Sequence, residues 1–462
     1  MGKGTRSGAN QNQTSSNIAG IWQGVLKVGT VELRLVVKIE AQPDGKLTGT
    51  MDSPDQGATG IPISEVSLQD NRVRLVVQAV MGLYEGTLSE DGKEMTGEWR
   101  QGGITLPLTL ERAEKAPEVR RPQEPRKPYP YREEEVRFEN TKANVRIAGT
   151  LTLPAGKPPF PAVVLITGSG PQDRNETVAG HRPFLVLADA LTRRGIAVLR
   201  TDDRGVGGST GNLSESTSAD LAEDVLAAIE FLKTRKEIDH RHIGLIGHSE
   251  GGIIAPMVAA RSSDVAFLVL LAAQGRRGEQ IALSQLALIA KTMGESAQNI
   301  WRGLQLTRRL FQIVKQYKDN ETAHRELQQA VAAFAQGLSE QERKELQQSA
   351  TSAQLQQLTT PWFRFFLTYA PRFTLHKVRC PVLALYGEKD LQVPPKENAP
   401  AVYESLRAGG NKQVTVKVFP GLNHLFQHCQ TGSPTEYARI EETFAPQVLQ
   451  TIGDWILQQI RR

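Results

Sequence analysis

Cysteine is nearly absent: Cys380 and Cys429 are the only two in 462 residues. Usage this sparse excludes a disulfide-rich scaffold and says little about compartment. A bridge between the pair is not expected. Cys380 precedes the apolar run Val382 to Tyr386, whereas Cys429 follows a histidine-bearing loop at the other end of the sheet. A strand of five residues already spans roughly 17 Å, beyond disulfide reach. Long hydrophobic runs are missing too, none approaching the roughly 20 residues that cross a bilayer, so the chain reads as soluble. Nor is one sign of charge in clear excess. The 55 basic and 50 acidic residues leave +5 with no long basic stripe, which argues against nucleic acid as a partner. The stretch Met1 to Asn17 has neither the apolar core nor the cleavage pattern of a secretory signal. It reads as a disordered leader; a leader of this kind also suits a secreted or periplasmic protein whose signal peptide has been removed, so the compartment stays open.

What is present is an apolar fraction of 39% with 23% charged residues, the balance of a globular protein, and a length that fits two domains better than one. Residues 18–112 carry short β-patterned runs: Trp22 to Val28, Val31 to Ile39, Lys46 to Met51, Arg72 to Val77, Tyr84 to Leu88, Met95 to Arg100 and Thr105 to Leu110. Asp44-Gly45 and Asp91-Gly92 between such runs are hairpin signals. An all-β domain, barrel or sandwich, is predicted, with substrate binding, dimerisation or shielding as its open roles and no residue suggesting chemistry. Residues 113–134 intersperse Pro117, Pro122, Pro125, Pro128 and Pro130 with charges, and so read as an extended linker. From 135 to 462, strand-like and helix-like stretches alternate, which implies a mainly parallel sheet with helices on both faces. The alternation is broken at 275–372 by residues rich in Gln, Leu, Ala, Glu and Arg with helical apolar spacing. This insertion is read as a cap over the site. It ends in an aromatic cluster in which Trp362, Phe363 and Phe366 either line an acyl or alcohol pocket or anchor the cap to the core.

The chemistry is concentrated in Gly247-His248-Ser249-Glu250-Gly251-Gly252, set between the apolar run at 243–246 and the helix-like stretch at 253–261. A strand that turns into a helix through one residue forces that residue into strain, and only small neighbours leave room. The arrangement holds Ser249 out as a nucleophile, with helix N–H groups aimed at developing negative charge. Serine needs a base, and the base an orienting carboxylate. Asp390 follows the Val382 to Tyr386 strand as the candidate acid, and His424 follows the alternating strand Val414 to Phe419 as the candidate base. Glu388 and His428 are the nearby rivals for these two roles; His240 and His242 sit at the wrong end of the nucleophile strand. The order Ser, Asp, His matches hydrolases that assemble their triad at the carboxyl edge of a parallel sheet.

Two backbone donors are needed for the oxyanion, one from Glu250 and one from the loop Thr167-Gly168-Ser169-Gly170-Pro171, where Ser169 is the first choice and Gly170 the next. The loop lacks the Gly-Lys-Ser/Thr ending of a phosphate cradle. Asp173, Arg174 and Asn175 either contact substrate or cap, or pin the loop by local hydrogen bonds.

From about Glu135 to the end, these motifs resemble the α/β-hydrolase superfamily, and within it a bacterial esterase group marked by the Gly-His-Ser-Glu-Gly-Gly elbow. The Thr167 to Asn175 loop, Asp203-Arg204-Gly205-Val206-Gly207 with Ser209, the Asp390 loop and Asn423-His424-Leu425-Phe426 carry the rest of the resemblance. It implies an α/β-hydrolase fold with a helical cap, a Ser249–His424–Asp390 triad, and an oxyanion hole at the Glu250 and Ser169 amides. The activity implied is hydrolysis of short- to medium-chain carboxylic esters, small-molecule substrates, through an acyl-enzyme and with no metal or organic cofactor. A thioesterase or peptidase would use the same triad, and a non-catalytic binding module is the reading from another class. Self-association, if it occurs, is expected through the β domain or the cap.

Overall fold

The computed structural model describes residues 18–28, 31–56, 58–115 and 120–461. The leader 1–17 and a part of the linker that includes Pro117 lie outside the described residues. Contacts divide the chain into two compact units, the first built mainly from residues up to Arg120 and the second mainly from Arg121 onward.

In the first unit, nine strands form one antiparallel sheet: β1 Gly20–Val28, β2 Val31–Ala41, β3 Leu47–Ser53, β4 Ala58–Ile63, β5 Glu65–Gln69, β6 Arg72–Val77, β7 Gly82–Leu88, β8 Glu94–Gln101 and β9 Ile104–Ala113. Their order is β4-β3-β2-β1-β9-β8-β7-β6-β5. Only Ser64 separates β4 from β5, yet these are the two edge strands, so the sheet curls round on itself. One core is enclosed, with Trp22, Leu35, Val37, Leu75, Tyr84 and Met95 among its members. The polar tips buried there are satisfied: Trp22 Nε1 donates to the Ile18 carbonyl at 2.9 Å and the Tyr84 hydroxyl to Met95 at 2.8 Å. β4 and β5 were not legible as strands, because Gly60 and Pro62 interrupt the alternation in one and the other is five residues long.

The second unit holds an eight-stranded sheet: β10 Arg132–Asn140, β11 Val145–Leu153, β12 Phe160–Ile166, β13 Ala197–Thr201, β14 Ile238–His248, β15 Phe267–Leu271, β16 Val382–Gly387 and β17 Val414–Phe419. The order is β10-β11-β13-β12-β14-β15-β16-β17. The β10–β11 and β11–β13 pairings are antiparallel, and all others are parallel. β10 begins inside the stretch predicted to be linker, since the Glu-rich run Arg132 to Glu135 pairs with Leu153 to Thr150.

The central strands read as unbroken apolar runs because both faces are covered. On β12, Ala162, Val164 and Ile166 face one core while Val163 and Leu165 face the other. The first core is closed by α2 Ser218–Lys233, α3 Gly251–Ala259 and α11 Pro395–Ala408; the second by α1 Pro183–Thr192 and α12 Pro446–Ile460. Between β15 and β16 lie α4 Gly278–Thr292, α5 Ala297–Gln316, α6 Asn320–Ala335, α7 Glu340–Ser349, α8 Ser352–Gln357, α9 Pro361–Thr368 and α10 Pro371–Leu375. They have a core of their own, formed by Leu310, Phe311, Ile313, Val314, Leu327, Leu355 and Leu367. Among the described residues, no helix is long and apolar enough to cross a membrane.

Candidate active site

The parallel register brings four loops to one rim. Ile166 is paired with Gly247, His248 with Leu271, Leu271 with Leu385 and Gly387 with Phe419. The loops leaving β12, β14, β16 and β17 therefore emerge together at the carboxyl edge, where open α/β sheets bind ligands. Ser169, Ser249, Asp390 and His424 all lie on these loops.

Ser249 sits between β14 and α3 with φ +51°, a left-handed conformation rare for a side-chain-bearing residue. Its amide donates to the Leu271 carbonyl at 2.8 Å. The neighbouring glycines are needed sterically: a Cβ on Gly247 would lie 2.0 Å from the Gly251 oxygen, and one on Gly251 would lie 2.2 Å from the Ile166 oxygen. The strained turn can close only because both positions lack a side chain. Ser249 itself stays partly exposed.

His424 Nδ1 lies 2.8 Å from Asp390 Oδ2, and both side chains are buried. Asp390 Oδ1 accepts from the amides of Gln392 and Val393, each at 2.8 Å. An ionised carboxylate only accepts, so the Nδ1 facing it holds the proton and Nε2 is left as the basic nitrogen. Asn423 stiffens the loop by accepting from the Leu425 and Gln427 amides, both at 3.0 Å. The two rivals are engaged elsewhere. Glu388 accepts from the Gly421 amide at 2.9 Å, and the exposed His428 bonds to Glu442 at 2.8 Å. Among the described residues no hydrogen bond joins Ser249 to His424.

Ser169 and Gly170 are exposed at the tip of the loop after β12, and the Gln172 side chain donates to the Ser169 carbonyl at 3.2 Å. Two carboxyl groups hold the base of this loop. Asp203 accepts from the Thr167 hydroxyl at 2.8 Å and the Gln172 amide at 3.0 Å. Burial pushes its carboxyl up to about 7, although those two bonds favour ionisation. Glu176 accepts from the Gly168 amide at 2.6 Å. Arg174 is committed to Asp202, Glu135 and Thr150, Asn175 accepts from Arg200, and Asp173 accepts from the Asn175 and Thr177 amides at 3.0 and 2.9 Å. Arg174 and Asn175 tie the loop to its neighbours, and Asp173 closes it on itself.

Sequence reasoning passed over His248 and Glu176. His248 Nδ1 lies 2.8 Å from Glu176 Oε1, and its Nε2 lies 3.1 Å from the His424 carbonyl oxygen. The signal available was a titratable residue inside the elbow itself and another ending the Asp-Arg-Asn-Glu run. Glu250, valued for its amide alone, also has a buried side chain, whose Oε1 accepts from the Ser218 hydroxyl at 2.6 Å and from Trp362 Nε1 at 2.7 Å. Burial raises its pKa and these two bonds lower it, the net direction being upward. Trp362 thus reaches from α9 to the residue after Ser249. It stacks on Phe366 with centroids 5.3 Å apart, while Phe363 lies against Phe311 of the helical insertion at 5.7 Å.

A mostly parallel sheet, helices on both faces and a strained serine elbow at the carboxyl rim define an α/β-hydrolase. Residues 182–428, more than half of the chain, match the family described as serine aminopeptidase, S33. The chain belongs to that family of hydrolases. It is 27% identical over 387 residues to esterase EstD of Thermotoga maritima, a similarity covering 83% of this chain and 81% of that one. Among solved structures it is similar to the α/β-hydrolase GrgF of a Penicillium species (TM-score 0.46, 16% identity, 72% of this chain and 100% of that one). It is also similar to Est1E of Butyrivibrio proteoclasticus with ferulic acid bound (TM-score 0.42, 17% identity, 71% and 100%).

Proposed function

We propose that this protein is a serine carboxylesterase in which Ser249, His424 and Asp390 act as a triad. In this reading His424 Nε2 takes the Ser249 proton as the oxygen attacks the ester carbonyl, and the Glu250 and Ser169 amides, with Gly170 the next candidate, stabilise the oxyanion. The alcohol leaves with the proton held by His424. Water, activated by the same imidazole, then releases the acid from the acyl-enzyme. The observation that carries the reading is the left-handed Ser249 on the same rim as the buried His424–Asp390 pair. The similarity to an esterase across most of both chains supports an ester as the scissile group. Helical residues 275–372 serve as the cap, and Trp362, Phe363 and Phe366 form a wall of the acyl pocket, which suits short- to medium-chain esters.

The test is a panel of aryl esters graded by acyl length, alongside thioesters and aminoacyl amides, with Ser249→Ala as control. Esters are expected to give the highest kcat/KM, and Ser249→Ala to lose at least about 10³-fold. Full activity in Ser249→Ala would remove the triad. Preference for aminoacyl amides would favour a peptidase, in keeping with the family's description.

A further inference from the structure

Glu176 and His248 take no part in the proposed chemistry, yet they stand among the loops of the rim. Both are buried, at 3% and 6% exposure. Glu176 also has φ +53°, a backbone conformation that persists in a non-glycine residue only where the surroundings over-determine it. Its Oε1 accepts from the amide of Gly168, which immediately precedes Ser169, at 2.6 Å. The same oxygen faces Nδ1 of His248, which immediately precedes Ser249, at 2.8 Å. From the far side of that ring, Nε2 reaches the backbone carbonyl of His424 itself, at 3.1 Å. One carboxylate and one imidazole therefore join the oxyanion loop, the elbow and the base loop by three consecutive hydrogen bonds.

A carbonyl only accepts, so Nε2 of His248 carries a proton toward His424, while Nδ1 faces the Glu176 carboxyl. Burial alone would lower the His248 pKa, but the Glu176 charge and hydrogen bond outweigh it and the net direction is upward. The other titratable groups facing it are His424, with ring centroids 4.8 Å apart, and Asp390. Phe184, Leu271, Phe426 and Phe444 close an apolar wall around the pair, packed too tightly to admit water. Hydrogen bonds in such a setting are strengthened by the low local dielectric. The spacing is equally tight on the open side, where a Cβ on Gly168 would lie 3.3 Å from Ser249 Cβ and 3.2 Å from Glu176 Oε1.

We propose that Glu176 and His248 form a positioning clamp that sets the oxyanion loop and the His424 loop at a fixed distance from Ser249. The proposal rests on the triad reading above. Neither residue touches substrate; each acts through a neighbour, Glu176 through the Gly168 amide and His248 through the His424 carbonyl. Misplacing reacting groups by about 1 Å costs on the order of 10²-fold, and losing an oxyanion donor about 10²–10³-fold. The clamp governs both placements.

The experiment compares Glu176→Ala, Glu176→Gln, His248→Asn and the double variant Glu176→Ala/His248→Asn in the full chain, on an aryl acetate, with folding checked by circular dichroism at the assay temperature. Glu176→Ala is expected to lower kcat by about 10²–10³-fold while KM stays within about threefold, because the interaction matters in the transition state. Glu176→Gln keeps an acceptor for the Gly168 amide and is expected to recover part of that loss. His248→Asn keeps a donor toward Glu176 but cannot reach the His424 carbonyl, and so is also expected to lose kcat. The double variant should be little worse than the worse single one, since the two act as a unit. Should Glu176→Ala not fold, the His248→Asn and Glu176→Gln values decide. Folded variants with kcat within about threefold of wild type, or losses that merely track the folded fraction, would overturn the clamp. If Ser249→Ala is inactive while the clamp variants run at full rate, the clamp alone falls; if Ser249→Ala stays active, the triad falls first.

Discussion

Replacing Asp390 by asparagine should abolish catalysis while leaving the fold intact, and the reason lies in how the carboxylate is tied. Oδ1 accepts two backbone amides at 2.8 Å, and Oδ2 alone faces His424. An asparagine at this position has one acceptor and one donor to place. Turning its NH2 toward the Gln392 and Val393 amides would forfeit two hydrogen bonds, each worth about 0.5–1.5 kcal/mol, and set donors against donors. The carbonyl therefore stays with the amides, and the NH2 confronts His424 Nδ1. That nitrogen must now offer a lone pair, so the proton moves to Nε2, which can no longer accept from Ser249. This tautomer exchange costs about 10⁴ in kcat where it has been isolated, or about 5.5 kcal/mol at the transition state. The measurement is kcat on an aryl ester with the melting temperature beside it. Glu388→Gln serves as control, because Glu388 accepts from the Gly421 amide and faces no imidazole; it should keep most of its activity. A folded Asp390→Asn enzyme with kcat within about tenfold of wild type would refute the reasoning, and collapse of the Glu388→Gln variant instead would move the acid role to Glu388.

Trp362→Phe keeps an aromatic ring to stack on Phe366 but removes the donor to the buried Glu250. The loss should destabilise by about 1–2 kcal/mol in urea unfolding; if Trp362 also walls the acyl pocket, the ratio of kcat/KM on short and longer esters will shift, whereas an unchanged ratio would make it only an anchor. Asp203 gives a stability that depends on pH. Its carboxyl is raised from 3.8 to about 7 chiefly by burial, so the folded state favours the neutral acid. The contribution is complete below the unfolded value near 3.8 and is lost as pH rises through about 7. Asp203→Asn, neutral throughout, should flatten the fall in melting temperature between about pH 5 and pH 8; parallel slopes for the two proteins would count against the raised value.

The α/β-hydrolase sheet was legible because its central strands bury both faces, leaving continuous apolar runs at 163–166, 243–246 and 382–386 that need no tertiary information to recognise. Once strand order is parallel, residues just past the carboxyl ends must share a rim, so Ser249, Asp390 and His424 could be nominated from their distance past a strand. The elbow was legible for a different reason: Gly247 and Gly251 are dictated by backbone contacts of 2.0 and 2.2 Å that no side chain can enter. β4, β5 and the start of β10 were hidden because glycine, proline or consecutive glutamates break the alternation that marks a half-buried strand. Side-chain partnerships across loops leave no periodic trace at all. Glu176 and His248 are 72 residues apart, as Glu250 and Trp362 are 112 apart, and nothing in local composition links either pair. Yet a polar group can be buried at a rim only if its partners are supplied. An acidic residue in a turn beside an apolar helix start, or a histidine wedged into a glycine-rich elbow, must find them from another loop. The loops that meet at the carboxyl rim are the ones able to provide them, so the same strand order that gathers Ser249, Asp390 and His424 also brings Glu176 and His248 within hydrogen-bond reach of each other there.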